Sequence, residues 1–370
     1  MLRSAALALA LAAFPAGALA QWPQHGAPSG WREVFDADGR TAIALRQDGL
    51  RHLIAALLHD GSELDEHPSF AIERALIRFE RARRRRPDDP ELAYYTAIAL
   101  SSFARPAPDG SIERREDEAE QAWRRVRALD PSFQAGRVAF ELGAVHMRRH
   151  EFAEALAEYE AALAHAVAPT VRVMDYFYLP VGAERTLASF FLPITPDLVH
   201  GNLAEAAMLV GRLDDAIEHY RAAVETTDRP ETRVLALWGL ALATDRDGDH
   251  DGALRFARRA IQEDPVAGSR YTDLSRRHGP LAILHLDGVF FEPPYELHAY
   301  EALGHEAMAR DPAGGVDAEE LRRALVSWRF FLAEGGNASR YAATARRHAA
   351  RLEAELAADE ARHARRRRAP

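Results

Sequence analysis

The stretch DRDGDHDGA at 245–253 contains residue types that bind calcium. Three aspartates at alternate positions, followed by glycine, match the first half of an EF-hand loop. The matching residues are Asp247, Asp249, Asp251 and Gly252. Such a loop ends in a glutamate that binds the ion through both carboxylate oxygens, but here Arg258 stands at that position. Because a cation there opposes calcium binding, we predict a turn between two helices and no calcium site.

A second candidate is a histidine–carboxylate pattern, His298, Glu301 and His305, whose spacing places all three on one face of a helix. Two imidazoles and a carboxylate are ligands that transition metals accept. A further ligand is not visible from the spacing. Polar residues on this helix face are also common without a metal. A metal-binding or enzymatic protein that uses these residues is kept as an alternative.

The sequence lacks the motifs of common enzyme classes. It has no G-x-S-x-G nucleophile motif, no P-loop, no G-x-G-x-x-G dinucleotide motif and no H-E-x-x-H metal motif. It has no cysteine, which excludes disulfides, zinc thiolates and thiol nucleophiles. These observations predict a non-enzymatic protein with no catalytic residues, no metal and no cofactor.

Composition indicates a helical protein that does not bind nucleic acid. The 370 residues are 48% hydrophobic, and alanine, leucine, arginine and glutamate dominate. Lysine is absent, so all 47 basic residues are arginines. The net charge of −9 opposes general binding to a phosphate backbone, which needs a surplus of positive charge.

The first twenty residues have the organisation of a secretory signal peptide. Arg3 is followed by the apolar stretch SAALALALAAF, and Ala18-Leu19-Ala20 supplies a small-x-small cleavage site. The apolar stretch is too short to anchor the chain across a bilayer. We therefore expect cleavage after Ala20 and export to the periplasm or beyond, with no membrane span in the mature chain.

A recurring pattern defines the helices that position these residues. An alanine is followed by an aromatic or apolar residue four positions on and a small or apolar residue seven positions on, so all three share one helical face. The copies begin at Ala75, Ala119, Ala155, Ala216, Ala253 and Ala324. A first helix upstream carries a large–small pair such as Leu203-Ala204 or Leu240-Ala241. DRDGDHDGA falls between two such helices, as a turn would.

This pattern resembles the tetratricopeptide repeat (TPR) family, whose unit is an antiparallel pair of helices. The clearest copy is GNLAEAAMLVGRLDDAIEHYRAAVE at 201–225, and the resemblance covers residues 70–335. It implies an all-α fold, a right-handed TPR superhelical solenoid of about five to six helix pairs closed by a C-terminal capping helix.

The expected organisation has five parts along the chain. They are the signal peptide 1–20, an N-terminal linker 21–40, the TPR solenoid 41–336, the capping helix 337–363 and an arginine-rich tail 364–370. Aromatic and proline-rich insertions near 168–196 and 266–297 interrupt the repeats, and the periodicity leaves open whether they are helices or loops.

The resemblance also implies a concave groove lined by the first helices. The groove-facing positions are Tyr94, Arg137, Phe140, Met147, Met208, Trp238, His298, Glu301 and His305. Aromatic residues and methionine commonly anchor peptides, so Phe140 and Trp238 are the expected centre of binding. Whether the groove is open or filled by the insertions is left open.

These observations favour a protein–protein interaction scaffold or adaptor of the cell envelope, which binds a peptide segment or protein partner in the groove. One alternative is the metal-binding or enzymatic protein based on His298, Glu301 and His305. Another is a structural subunit of an envelope assembly, docked through the insertions. The partner, the biological process and the oligomeric state are not predicted, because helical repeats serve many functions.

Overall fold

A computed structural model describes residues 37–57, 67–109, 111–166, 194–266, 272–286, 289, 291–310 and 315–368. The signal peptide and most of the insertion near 168–196 lie outside these residues. The chain divides into two compact units, residues 1–145 with 167–194 and residues 146–166 with 195–370. None of the described helices is long and apolar enough to cross a membrane.

The first unit consists of helices and a short hairpin. Its helices are α1 (Ala37–Leu57), α2 (Pro68–Arg83), α3 (Pro90–Ser101), α4 (Glu116–Leu129) and α5 (Ala135–Arg148), whose last turn passes the unit boundary. Between α3 and α4, β1 (Ala104–Pro106) pairs antiparallel with β2 (Ile112–Arg114). Asp89 begins α3 by accepting a hydrogen bond from the Leu92 N–H, and Pro90 fits the first turn because it lacks an N–H.

The second unit contains the other helices of the described residues. They are α6 (Phe152–Ala164), α7 (Pro196–Val210), α8 (Leu213–Thr226), α9 (Pro230–Asp247), α10 (His250–Glu263), α11 (Thr272–His278), α12 (Leu297–Ala309), α13 (Ala318–Ala333) and α14 (Ala342–Arg368). Short 3₁₀ helices are found at Gly279–His285, Pro294–Glu296 and Gly336–Ala338.

Buried stripes confirm the TPR-type solenoid fold in each unit. In the first unit α1 packs on α2 and α3 packs on α4. In the second, the packed pairs are α7–α8, α9–α10 and α12–α13, and two-residue turns make the first two of these pairs antiparallel. All positions of the repeating stripe are buried, from Ala75, Phe79 and Ala82 on α2 to Ala324, Trp328 and Phe331 on α13. Small residues alternate with large ones, so neighbouring helices approach closely.

The boundaries at both ends differ from the expected organisation. Helix α1 begins at Ala37, inside the segment expected to be a linker. Helix α14 extends to Arg368 and so includes most of the expected tail. Its apolar stripe packs as a cap, because Tyr341, Ala345, Leu352 and Leu356 are buried.

The described part of the second insertion folds onto the solenoid. It forms α11 and the 3₁₀ turn that follows, and Leu281–Leu284 are buried. A Cβ added to Gly304 of α12 would lie 2.5 Å from Leu281 Cδ2, so α12 and this turn are in direct contact. The insertion thus covers part of the first-helix surface in the second unit.

Candidate functional site

The DRDGDHDGA stretch is a helix–turn–helix connection, as predicted. Gly248 ends α9 with a φ of 107°, in the left-handed region that glycine adopts without strain. Asp249 then begins α10, because its Oδ1 accepts a hydrogen bond of 2.8 Å from the Gly252 N–H. Arg258 donates to the carbonyl oxygen of Ala307 at 3.2 Å, so it joins α10 to α12. The absence of calcium binding stays a prediction.

The groove-facing residues of the first unit are largely covered. Tyr94 is buried, with its ring centroid 5.4 Å from that of Trp123, and burial raises the pKa of its hydroxyl. Arg137 is also buried, and its guanidinium carbon lies 5.7 Å from the ring centroid of the half-buried Phe140. Arg137 Nη1 lies 3.4 Å from Glu141 Oε1. One partner of this cation therefore lies on its own helix.

In the second unit, the apolar groove-facing residues are buried too. Met147 and Met208 are buried, and Trp238 is 1% exposed. A Cβ on Gly304 would come within 3.0 Å of Trp238 Cη2 and within 2.5 Å of Leu281 Cδ2, so all three are packed together. The Trp238 ring is therefore buried beside Gly304 of α12 and Leu281 of the insertion, and it does not line an open groove.

The three polar groove residues of α12 separate into two groups. His298 Nδ1 lies 3.1 Å from Glu301 Oε2, and His285 from the insertion lies 3.1 Å from Glu301 Oε1. Burial opposes ionisation of Glu301, but hydrogen bonds from His285 and His298 outweigh it and lower its pKa. His305 instead pairs with Glu320 at 2.7 Å. The structure therefore brings His298 and Glu301 together and adds His285, whereas His305 has a different partner.

A buried cluster of two histidines and two carboxylates lies where α9, α10, α12 and α14 meet. Asp245 Oδ1 is 2.8 Å from His250 Nδ1, and Asp245 Oδ2 is 2.9 Å from His348 Nε2. On the other side of the rings, Glu306 Oε1 is 2.9 Å from His348 Nδ1, and Glu306 Oε2 is 3.3 Å from His250 Nε2. Asp245, His250 and His348 place their ligand atoms within 4.8 Å of one another, as metal coordination requires.

The pKa values within this cluster shift in favour of the charged forms. Burial opposes ionisation of Asp245, but hydrogen bonds from His250 and His348 lower its pKa to about 2. Burial likewise disfavours the imidazolium of His348, but hydrogen bonds to Asp245 and Glu306 raise its pKa to about 9. Opposite charges at hydrogen-bonding distance thus exceed the effect of desolvation. We refer to Asp245, His250, Glu306 and His348 as the His–carboxylate cluster.

A second buried network lies beside this cluster. Arg246 of α9 forms an ion pair with Glu296, and the two side chains are 2% and 3% exposed. The guanidinium carbon of Arg246 lies 3.9 Å from the ring centroid of Tyr341. The Tyr341 hydroxyl donates to the Met208 carbonyl oxygen, which attaches the start of α14 to α7. Nearby, burial and the carboxylates of Glu296 and Glu292 raise the pKa of Glu205 to about 8.

The His–carboxylate cluster was not predicted as a site from the sequence. Asp245 lies near the end of α9 and His250 begins α10, both within DRDGDHDGA, but His348 lies 103 residues from Asp245. Local spacing carries no signal for a pair so distant. The repeat register places Asp245 on the inner helix face, and the inner stripe of the capping helix includes His348.

The chain has weak structural similarity to several helical-repeat proteins. MamA (residues 41 to the end) from Desulfovibrio magneticus RS-1 matches with a TM-score of 0.44 and 20% identity, covering 63% of this chain and 100% of that chain. The P58(IPK) TPR domain matches with a TM-score of 0.23 and 14% identity, covering 84% and 99%. No protein-family model and no curated protein sequence matches. The TPR-type fold therefore rests on the buried repeat stripes described above.

Proposed function

We propose that the protein is a non-enzymatic adaptor of the cell envelope that binds a protein or peptide through accessible side chains of α12 and α13. The fold supports this role because the stacked helix pairs of a unit present packed helix surfaces to a partner. In the second unit the apolar groove positions are buried, whereas His298 and Glu301 are 20% and 21% exposed. The contact surface is therefore proposed on α12 and its neighbour α13, and not at Trp238.

The observation that carries the proposal is an exposed apolar pair beside these polar residues. Phe330 and Val326 are one helical turn apart on α13 and are 49% and 47% exposed. The Phe330 ring centroid lies 5.5 Å from that of His298. An exposed aromatic ring beside hydrogen-bonding groups is typical of an interaction site. We call Val326, His298, Glu301 and Phe330 the α12–α13 patch.

The patch is suited to a peptide with one large apolar side chain and neighbouring polar groups. The apolar side chain would pack on Phe330 and Val326. The Glu301 carboxylate, whose pKa is lowered, would accept hydrogen bonds from the peptide in exchange for those from His298. Because the patch lies on α12 and α13, its shape is set by packed helices and needs no folding on binding.

The test begins with capture of partners from envelope extracts by the immobilised mature chain. Each partner is purified, and its affinity is measured directly for the parent and for Phe330→Ala. We expect this change to weaken binding about thirtyfold, since loss of an aromatic anchor removes about 2 kcal/mol. Phe70→Ala is a matched control, because Phe70 is 46% exposed on α2 in the other unit. Equal affinity of Phe330→Ala and parent would exclude the patch.

The buried Trp238 provides a further control. Trp238→Ala opens a cavity in the core, so its main effect should be a lower melting temperature, measured by circular dichroism. If Trp238→Ala instead keeps its melting temperature and loses the partner, the binding site is the groove centre. If His305→Ala abolishes an enzymatic activity of the parent, the adaptor proposal is replaced by the enzymatic alternative.

Export is part of the proposal and has a separate test. The n-region, apolar stretch and Ala18-Leu19-Ala20 together favour cleavage after Ala20. The intact mass of protein recovered from its native host should match a chain that begins at Gln21. A recovered chain that retains Met1–Ala20 would refute the envelope location.

A further inference from the structure

The His–carboxylate cluster has an arrangement typical of metal sites. Two imidazole nitrogens, His250 Nδ1 and His348 Nε2, converge on the two oxygens of Asp245 at 2.8 and 2.9 Å. Ligand atoms that lie roughly 2.0–2.2 Å from a tetrahedral metal are about 3.4 Å apart, so each of these N···O distances would lengthen by about 0.5 Å on binding. Small side-chain movements would therefore bring all three groups onto one ion.

Glu306 occupies the position of the outer carboxylate in such a site. It lies beside the far nitrogen of each ring, 2.9 Å from His348 Nδ1 and 3.3 Å from His250 Nε2. A metal-bound histidine usually donates its other N–H to a carboxylate, which fixes the tautomer and the ring orientation. On each ring, the nitrogen that faces Asp245 can bind a metal once it loses the proton that it shares with Asp245.

The surrounding residues hold this arrangement in place. Trp328 stacks on the His348 ring with centroids 4.5 Å apart and donates from Nε1 to Glu306 Oε1 at 2.9 Å. Arg351 and Arg310 both form ion pairs with Glu306. These cations compensate the Glu306 carboxylate, whereas the partners of Asp245 in the cluster are the two imidazoles.

We propose that Asp245, His250 and His348 bind a divalent first-row transition metal, with Glu306 as the acceptor that orients the His348 imidazole. Imidazole favours zinc and its neighbours in the series over calcium or magnesium, which prefer oxygen ligands. The His250 side chain is 22% exposed, so an ion and its remaining solvent ligands can enter from that side. This site is independent of the proposed adaptor function and distinct from the His298–Glu301 group.

The bound ion would attach the capping helix to the solenoid. Asp245 belongs to α9, His250 to α10 and His348 to α14, so one ion would join three helices across 103 residues of chain. A metal that binds the folded chain and not the unfolded chain increases stability. We therefore expect the metal to raise the melting temperature of the second unit.

The experiment uses the full mature chain without a histidine tag, stripped with EDTA and titrated with zinc chloride. Calorimetry should show one zinc ion bound per chain and release of about two protons as the ion replaces imidazole hydrogens. The melting temperature should rise by at least about 4 °C. His250→Gln should bind zinc at least about tenfold more weakly, because a ligand is removed. If zinc shows no saturable binding, the cluster is a hydrogen-bonded ion network and the metal site is excluded.

Two matched variants test the assignment to this cluster. His298→Gln removes a histidine from the His298–Glu301 group, and His219→Gln separates the pair in which His200 Nδ1 and His219 Nδ1 are 3.1 Å apart. Both variants should bind zinc as the parent does. If either loses the ion while His250→Gln keeps it, the proposal is wrong.

His250→Cys gives a readout that does not depend on stability. The natural chain has no cysteine, so the substituted thiolate is unique. With cobalt(II), this variant should show a near-ultraviolet thiolate-to-metal charge-transfer band that the parent lacks, because the thiolate is the metal-binding form of cysteine. A cobalt complex of the folded variant without this band would exclude position 250 as a ligand.

Discussion

The buried ion pair between Arg246 and Glu296 should control the stability of the second unit. Both side chains are almost fully buried, and the Arg246 guanidinium also packs on the Tyr341 ring. Arg246→Met keeps an unbranched side chain of similar length but leaves the Glu296 carboxylate buried without its cation. Removing one partner of a buried pair typically destabilises a protein by about 3–5 kcal/mol. Glu296→Leu should have a loss of the same order, because it isolates the guanidinium.

The double variant Arg246→Met/Glu296→Leu should recover most of this loss. Replacing both charges with apolar groups removes the cost of desolvating them, and such replacements are often neutral or stabilising. The double-mutant cycle should therefore give a coupling of at least about 2 kcal/mol. Arg323→Met is a matched exposed control, since Arg323 pairs with Glu319 and is 54% exposed. Its effect should stay below about 1 kcal/mol.

The free energy of unfolding is measured by urea titration with far-ultraviolet circular dichroism. The two units are analysed as separate transitions where the curve shows more than one. Arg246→Met should shift only the transition of the unit that contains residues 195–370. A loss below about 1 kcal/mol for the single variant, or strictly additive single losses in the double variant, would refute the reasoning.

Four further predictions concern single positions. Gly239→Ala should destabilise the fold by about 1–2 kcal/mol, because overpacking outweighs the gain in helix propensity; its Cβ would lie 2.2 Å from Tyr220 Cε1. A Cβ added at Gly201 has no atom within 4 Å, so Gly201→Ala should be neutral or stabilising. Equal melting temperatures of Gly239→Ala and Gly201→Ala would contradict both expectations. Glu205→Gln should gain stability relative to the parent as pH rises from 4.5 to about 8. Over this range the folded parent keeps the proton of the Glu205 carboxyl, whereas the unfolded chain releases it. Urea titrations that show the same difference in unfolding free energy at every pH would exclude this prediction. Asp249→Ala should lower the melting temperature because a helix cap is lost, and calcium should affect the variant and the parent equally. A saturable rise of the melting temperature with calcium in the parent, absent from the variant, would restore the EF-hand interpretation.

Local spacing in the sequence was sufficient to predict the repeat. Offsets of four and seven place alanine and aromatic residues on one helical face, and this depends only on the periodicity of a helix. Ala216, Tyr220 and Ala223 are therefore buried as predicted. The turn at Gly248 was predictable for the same kind of reason, because glycine is suited to the left-handed conformation that ends α9.

The exposure of the groove depended on tertiary packing. The sequence left open whether the insertion near 266–297 covers the first helices, because its periodicity does not specify a neighbour. The structure places Leu281 against Gly304 and Trp238, which removes the Trp238 ring from solvent. Phe330, by contrast, occupies a second-helix position and remains 49% exposed. The candidate contact surface thus differs from the one that the repeat register indicated.

The His–carboxylate cluster also depended on tertiary packing that the sequence does not specify. The sequence predicted that Asp245 lies close to the end of a first helix and that His348 lies within the capping helix 337–363. Only the packing of α14 on α13 brings His348 within 2.9 Å of both Asp245 and Glu306. Residues so far apart in the chain meet because apolar stripes dock and exclude water, and the polar groups that become buried with them must then satisfy one another.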